Sequence, residues 1–141
     1  MPSRPPFRGL PVRVGLVLAA VLACVWIAGL ERDRDRCSDA GRTVFLGPER
    51  QSRQTFEAAV RTLDPSCAHS PAMVSSSTSL LRVGREADAA RLARMAARAE
   101  PDNWSAWAAL GLALRSRDPG GSRRALARAR ELNPLEAPPP G

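Results

Sequence analysis

Three prolines recur at nearly equal spacing in this chain, each after a run of helix-forming residues. They end the sequences LDP, AEP and LNP, at Pro65, Pro101 and Pro134, and the intervals between them are 36 and 33 residues. Proline cannot continue an α-helix, and it disfavours the helical conformation in the residue before it. The spacing therefore predicts a unit of about 34 residues that ends in a helix and is repeated along the chain.

The segments before Pro101 and Pro134 share a pattern of small and apolar side chains. Twelve, eight and five positions upstream of each proline lie Ala89, Ala93 and Ala96 in one segment and Ser122, Leu126 and Ala129 in the other. Residues at this spacing lie on one face of a helix, and small residues there let a second helix approach closely. Gly84, with Arg85, interrupts the helical pattern before the first of these helices. The sequence RDPGG, with a turn expected over 118–121, interrupts it before the second.

The segment after Pro101 predicts a helix with one apolar face. That face consists of Trp107, Leu110, Gly111 and Leu114, which follow the i, i+3, i+4, i+7 rule. A glycine inside a helix costs about 1 kcal/mol against alanine, so we expect close packing of the paired helix at Gly111. Asn103 or Ser105 is expected to cap the helix. Trp104 lies one turn earlier, where it either seals the joint between units or faces a partner.

This order of residues resembles the tetratricopeptide repeat (TPR), a helix–turn–helix unit of about 34 residues. Residues 104–135 carry the fuller match, at Trp107, Leu110, Gly111, Leu114, Leu126, Ala129 and Pro134. Residues 70–103 form a preceding unit whose first helix is degenerate, and its matches are Gly84, Ala89, Ala93, Ala96 and Pro101. The resemblance is to a membrane-anchored bacterial member of the family. It implies a short α-solenoid, with residues 53–69 as a half repeat that caps it; without that cap, the domain would need a partner or self-association.

In the TPR family the first helix of each pair lines a concave groove that binds peptides or partner proteins. The positions carried over to this chain are Val74, Thr78, Leu81, Arg82, Ala108, Leu112 and Arg115. The Lys and Asn pattern with which some members clamp a C-terminal carboxylate is not present at these positions. Arg82 and Arg115 are either solvated surface residues or contacts for an acidic segment.

The composition also predicts an all-α chain. Aromatic residues make up only 4% of it and tyrosine is missing, so alanine and leucine must form most of the core. All 21 basic residues are arginine, against 14 acidic ones, and the net charge is +7. Acidic residues lie between the arginines, and no aromatic residues alternate with them as in nucleic-acid-binding motifs. We therefore expect solvated helix surfaces and no nucleic-acid partner.

The run Val14–Leu30 contains seventeen residues without a charge and predicts a transmembrane helix. At about 1.5 Å per residue it reaches roughly 25 Å, slightly short of a bilayer core. A cleaved signal peptide is the first alternative, but this apolar run is long and lacks a small-x-small cleavage site. A lipoprotein signal is the second, because VLAC, which ends at Cys24, resembles a lipobox.

The segments around this helix complete the expected organisation. Residues 1–13 are rich in arginine and proline and contain no acid, which favours a cytoplasmic N-terminus and an extracytoplasmic C-terminal domain. Residues 31–52 are expected as a linker, and residues 136–141 as a proline-rich tail. In an extracytoplasmic domain Cys37 and Cys67 are permitted to form a disulfide, although two unrelated thiols fit the sequence equally well.

The sequence contains no set of residues that predicts catalysis. His69 is the only histidine, no CxxC pair exists, and no glycine-rich phosphate loop is present, so neither a metal nor a cofactor is expected. The sequence therefore favours a membrane-anchored adaptor or scaffold that binds protein partners in an envelope assembly. The alternatives are a lipoprotein or secreted repeat protein, and an assembly accessory to a membrane enzyme of the cytochrome-maturation or polysaccharide-export type.

Overall fold

The structure, a computed structural model, describes residues 10–69 and 71–136, and this part of the chain is all-α, as predicted, without a strand. Its α-helices are α1 (Leu10–Leu46), α2 (Arg53–Thr62), α3 (Pro71–Arg82), α4 (Glu86–Ala99), α5 (Trp104–Leu114) and α6 (Pro119–Leu132). Two short 3-10 helices lie at Pro48–Arg50 and Pro65–Cys67. The chain divides into two compact units, Met1–Asp33 and Arg34–Gly141.

The first unit contains the apolar part of α1. Its side chains from Val14 to Leu30 are exposed, and the mean hydropathy of the most apolar 18-residue window is 2.3. By length and composition this helix is able to cross a membrane, a test that a signal sequence also passes. The expectation for residues 1–13 lies mostly outside the described residues, as does that for the tail over 136–141.

Helix α1 continues much further than the sequence predicted. Residues 31–52 were expected as a linker, but α1 ends at Leu46, and its residues from Arg34 onward belong to the second unit. Four buried residues in this part, at i, i+3, i+4 and i+7, are Cys37, Ala40, Gly41 and Val44. A Cβ on Gly41 would lie 2.5 Å from the Cβ of Ala72, so α1 and α3 are in close contact here. Acidic and basic residues surround these four positions in the sequence, so their helical spacing is difficult to recognise.

Helix α2 lies in the segment 53–69 that was expected as a capping half repeat, and it shares a core with α1 and contacts α4. Ser52 caps it by accepting a hydrogen bond from the backbone N–H of Thr55. Its buried side chains include Phe56 and Val60, which belong to the same core as the buried face of α1. Arg91 on α4 donates to the carbonyl oxygens of Val60 and Leu63 at distances of 3.0 and 3.1 Å, satisfying carbonyls at the α2 C-terminus.

The two later helix pairs follow the small-residue pattern of the sequence. The predicted face of α4 is buried, as are Leu126 and Ala129 on α6. A Cβ on Gly111 would lie 2.6 Å from Cγ of Leu126, so the glycine permits the close approach of α5 and α6 that we expected. Gly84, at φ 73°, forms the turn between α3 and α4.

The helix ends agree with the proline spacing, with one difference. Helices α2, α4 and α6 each end two or three residues before Pro65, Pro101 and Pro134. The turn expected over 118–121 is shorter, because α6 already begins at Pro119. Asp118 is its N-cap and accepts a hydrogen bond from the backbone N–H of Gly121 at 2.8 Å. Pro at the first helical position costs no hydrogen bond, so PGG starts this helix.

One continuous core joins the helices of the second unit. Helix α3 packs on α4, α4 on α5 and α5 on α6, and the first helices α3 and α5 also touch each other. The core includes residues from the last part of α1 through Ala125 on α6. The second unit therefore contains the helix pairs α3–α4 and α5–α6, and the end of α1 and helix α2 contribute side chains to the same core.

Serine hydroxyls bridge the helices of both later pairs, in opposite directions. Ser77 on α3 donates to the carbonyl of Ala89 on α4 at 2.9 Å, whereas Ser122 on α6 donates to the carbonyl of Gly111 on α5 at 2.7 Å. Ser76, next to Ser77, is equally buried, but its hydroxyl finds no partner among the described residues. Adjacent serines on α3 therefore differ in what their hydroxyls contribute.

We expect Ser77→Ala to lower the free energy of unfolding by about 1 kcal/mol, because a buried hydrogen bond is lost. Ser76→Ala should be neutral or slightly stabilising, because it removes a buried hydroxyl without a partner and gains helix propensity. Urea unfolding of the full chain in detergent, followed by circular dichroism, measures both effects. Equal destabilisation by the two changes would contradict this assignment of hydrogen bonds.

Candidate interaction surface

The residues predicted to line a groove divide into three groups by exposure. Thr78, Arg82, Leu112 and Arg115 are exposed, Val74 and Leu81 are half-buried and pack against the core, and Ala108 is buried. On α3 the exposed positions form a stripe at i, i+4, i+7 and i+11, which consists of Pro71, Ser75, Thr78 and Arg82. Helices α3 and α5 are in contact, and we call their exposed residues, which include Thr78 and Leu112, the first-helix surface.

The first-helix surface is neutral except at one end. Neither α3 nor α5 contains an acidic residue, and their basic residues are Arg82, the last residue of α3, and Arg115, the C-cap of α5. The hydroxyl of Ser75 donates to the carbonyl of Pro71, and that of Thr78 to the carbonyl of Val74, so both bond within their own helix. The surface is therefore uncharged along its length, with hydroxyl groups on α3 and Leu112 on α5, and it carries positive charge where α3 and α5 end.

A cavity of about 310 Å³ lies where the N-terminal ends of α3 and α5 meet the C-terminal end of α4. Its walls are Ala68, Pro71, Val74, Ser75, Ala96, Glu100, Asn103 and Ser105. Asn103 caps α5 by accepting from the backbone N–H of Ser105, and it donates to Glu100 at 2.7 Å. These polar groups satisfy one another, so the cavity is explained by the junction between the helix pairs.

A second, smaller depression of about 130 Å³ lies between the end of α1 and the end of α3. Three apolar side chains on its walls are unusually exposed: Phe45 at 62%, Leu46 at 44% and Val83 at 38%. We call these three residues the Phe45 patch. Ser79, Arg82 and Glu49 also line the depression. This patch was not predicted from the sequence, because Phe45 was expected in a linker. The helical spacing of Cys37, Ala40, Gly41 and Val44 is the sequence feature that could have indicated it.

The two tryptophans after Pro101 have different environments. Trp107 is half-buried, packs against the core and donates its indole N–H to the carbonyl of Pro101 at 2.8 Å. This hydrogen bond ties α5 to the connection between α4 and α5, in which Pro101 lies. Trp104 is also half-buried. Trp107 therefore fixes the junction between the two helix pairs.

Cys37 and Cys67 form a disulfide, one of the two states that the sequence allowed. It joins α1 to the 3-10 helix that follows α2. Beside it, Arg36 donates to Asp64 at 2.7 Å. Hydrogen bonds from the hydroxyl and backbone N–H of Ser66, with a smaller effect of Arg36, hold the pKa of Asp64 below its ordinary value of 3.8. The part of α1 in the second unit is thus joined to the segment that follows α2 by both a covalent and an ionic contact.

A second ionic contact joins α2 to α4. Arg85 donates to Glu57 at 2.6 Å and also to Asp88, and its guanidinium lies 5.9 Å from the ring centre of Phe56. The hydrogen bond from Arg85 lowers the pKa of Glu57 below 4.5, and the bonds to Glu57 and Asp88 raise the pKa of Arg85. Because both shifts follow from this ion pair, they indicate helix packing rather than catalysis.

We expect the second unit to lose stability as the pH falls below about 5. Folding lowers the pKa values of Glu57 and Asp64, so their stabilisation is complete above their ordinary values of 4.5 and 3.8 and is lost as the pH falls through the lowered values. Glu57→Gln should reduce this dependence, and Glu49→Gln, at an exposed carboxylate without an ion pair among the described residues, is the matched control. Urea unfolding at a series of pH values measures both; equal pH profiles for the two variants would contradict the expectation.

Among the described residues no group of three or more His, Cys, Asp or Glu side chains is placed to hold a metal ion. Comparison of the chain with protein-family models, with curated proteins and with solved structures found no match. The geometry of the first-helix surface is therefore the main guide to function.

Proposed function

We propose that this protein is a membrane-anchored, TPR-like interaction module that holds protein partners near the bilayer, as the adaptor of an envelope assembly. One observation carries the proposal: α3 and α5 contact each other and both carry exposed residues, while α4 packs on α3 and α6 packs on α5. Surfaces made by successive helices of a repeat array bind extended or helical segments of other proteins.

The packing of α5 on α6 supports the TPR-like part of this proposal. Gly111 admits Leu126 at a distance that excludes a larger residue, and Ser122 bonds to the Gly111 carbonyl at the same crossing. The Ser77–Ala89 contact is the equivalent crossing in the preceding pair. These crossings lie at Ala89 and Gly111, two of the small positions that carry the sequence resemblance.

The disulfide supports an orientation in which the second unit lies outside the cytoplasm. Disulfides persist in oxidising compartments and are rare in the cytosol. An uncleaved helix over Val14–Leu30 with its N-terminus in the cytoplasm places Cys37 and Cys67 on the oxidising side. The anchor then fixes the module at the membrane surface, and the role is one of binding, with no reaction catalysed by the chain.

Affinity capture of the full chain from detergent-solubilised native membranes tests the proposal. The double variant Thr78→Arg and Leu112→Arg changes the first-helix surface without touching the core, and Arg94→Glu is a control on the exposed side of α4. We expect the same protein to be recovered with the wild-type chain and the control, and to be lost with the double variant. Recovery that is identical for all three proteins, or no specific protein with any of them, would contradict an adaptor role through this surface.

A further inference from the structure

The Phe45 patch and Arg82 share one depression, between the end of α1 and the end of α3. Monomeric proteins rarely gather large exposed apolar side chains around a concave site, so such a patch marks an interaction surface. Phe45 and Leu46 are adjacent on α1 and Val83 follows α3 directly; all three line the depression, whose volume of about 130 Å³ suits one bulky side chain.

The charges near this depression select the kind of partner. Among the described residues Arg82 makes no ion pair, and neither does Arg115 at the corresponding end of α5. Arg85, the N-cap of α4, and Arg128 on α6 have carboxylate partners, whereas Arg94 on α4, like Arg82, has none among the described residues. Arg82 is distinguished by its position beside an apolar depression. Glu49, on the rim of the depression, is its acidic residue. Free guanidinium groups beside an apolar site favour acidic side chains next to an apolar anchor.

We propose that the Phe45 patch and Arg82 bind a segment of a partner protein that carries a bulky apolar side chain flanked by acidic residues. This inference rests on the proposed adaptor function and names the chemistry of its partner. The apolar side chain fills the depression, and an acidic neighbour pairs with Arg82, with Arg115 further along the first-helix surface. A bilayer surface fits this site poorly, because the site is concave, one side chain wide, and bears Glu49 on its rim.

Three fluorescein-labelled peptides test the chemistry against the full chain in nanodiscs of neutral lipid. The first alternates leucine with glutamate, the second alternates leucine with lysine, and the third alternates serine with glutamate. We expect fluorescence anisotropy to show the leucine–glutamate peptide binding at least about tenfold more tightly than the other two. Nanodiscs without protein correct for partitioning into lipid.

Two variants and two matched controls assign the binding to this site. Arg82→Glu and Phe45→Ser should each lower the affinity for the leucine–glutamate peptide about tenfold. Two controls should leave this affinity unchanged: Arg94→Glu, on the exposed side of α4, and Leu135→Ser, at an exposed leucine after α6. Circular dichroism of each variant shows that the fold is retained, which is expected because Arg82 and Phe45 are exposed.

Several results would overturn the inference. Equal affinity for the three peptides, or binding unaffected by Arg82→Glu and Phe45→Ser, would do so. Arg82-dependent binding to vesicles containing phosphatidylserine, without selective peptide binding, would assign the surface to lipid instead. If the leucine–glutamate peptide shows no selective binding while capture from native membranes still depends on Thr78 and Leu112, this inference fails and the proposed adaptor function stands.

Discussion

Replacing Cys37 and Cys67 together with serine is expected to lower the free energy of unfolding of the second unit by about 3–4 kcal/mol. The disulfide closes a loop of 30 residues, and a crosslink of that length removes much of the conformational freedom of the unfolded chain. Its loss also releases the end of α1, whose buried face includes Ala40 and Val44. The Arg36–Asp64 pair, which is partly exposed, compensates little for this loss.

Urea unfolding of the full chain in detergent, with and without a reductant, measures the effect of the disulfide. Cys24→Ser is the matched control, because Cys24 is a free, exposed cysteine in the first unit. Its stability should equal that of the wild-type chain, and reductant should destabilise both proteins alike. A Cys37/Cys67 double variant as stable as the wild-type chain would show that the end of α1 does not depend on this crosslink.

Gly111→Leu is expected to destabilise the second unit by about 3 kcal/mol, at the upper end for overpacked cores. A Cβ at this position would lie 2.6 and 2.7 Å from Cγ and Cδ2 of Leu126 and 3.2 Å from its backbone nitrogen. The backbone contact means that α5 and α6 must move apart. Such a movement also breaks the hydrogen bond from Ser122 to the Gly111 carbonyl.

Gly120→Leu is the matched control for this change. A Cβ on Gly120 lies 3.5 Å from the end of the Arg124 side chain and 3.6 Å from an oxygen of Asp118, which are ordinary contacts. The gain in helix propensity should leave the control as stable as the wild-type chain or slightly more so. Thermal unfolding by circular dichroism compares the two variants, and equal midpoints would contradict close packing at Gly111.

Much of the helix arrangement could be predicted, because prolines and glycines set helix ends, and small residues mark helix contacts, through nearby residues in the sequence. Pro101 and Pro134 end helices wherever they occur, and the alanine face of α4 follows from its spacing alone. The extension of α1 could not be predicted as readily, because the charged sequence ERDRDR separates the apolar run from the buried period that starts at Cys37. Charged residues are common both in linkers and on solvated helix faces, so composition did not distinguish the two.

The candidate surface could be predicted in part for the same reason. The exposure of Thr78 and Leu112 follows from the helical period of α3 and α5. The Phe45 patch depends on contacts between α1 and α3, and these were invisible while Phe45 was assigned to a linker. The role of Asp118 as the N-cap of α6 was likewise not predicted, because Gly120 and Gly121 are more typical of a loop than of the first turn of a helix.

Site-specific photo-crosslinking in native cells tests the central claim, binding through the first-helix surface, most directly. A photoreactive residue is placed singly at Thr78 and Leu112, and at Arg94 and Ala127, exposed positions on α4 and α6. The account predicts a crosslink to the same partner protein from Thr78 and Leu112 and none from Arg94 or Ala127. Crosslinks to that partner from Arg94 and Ala127 alone would contradict it.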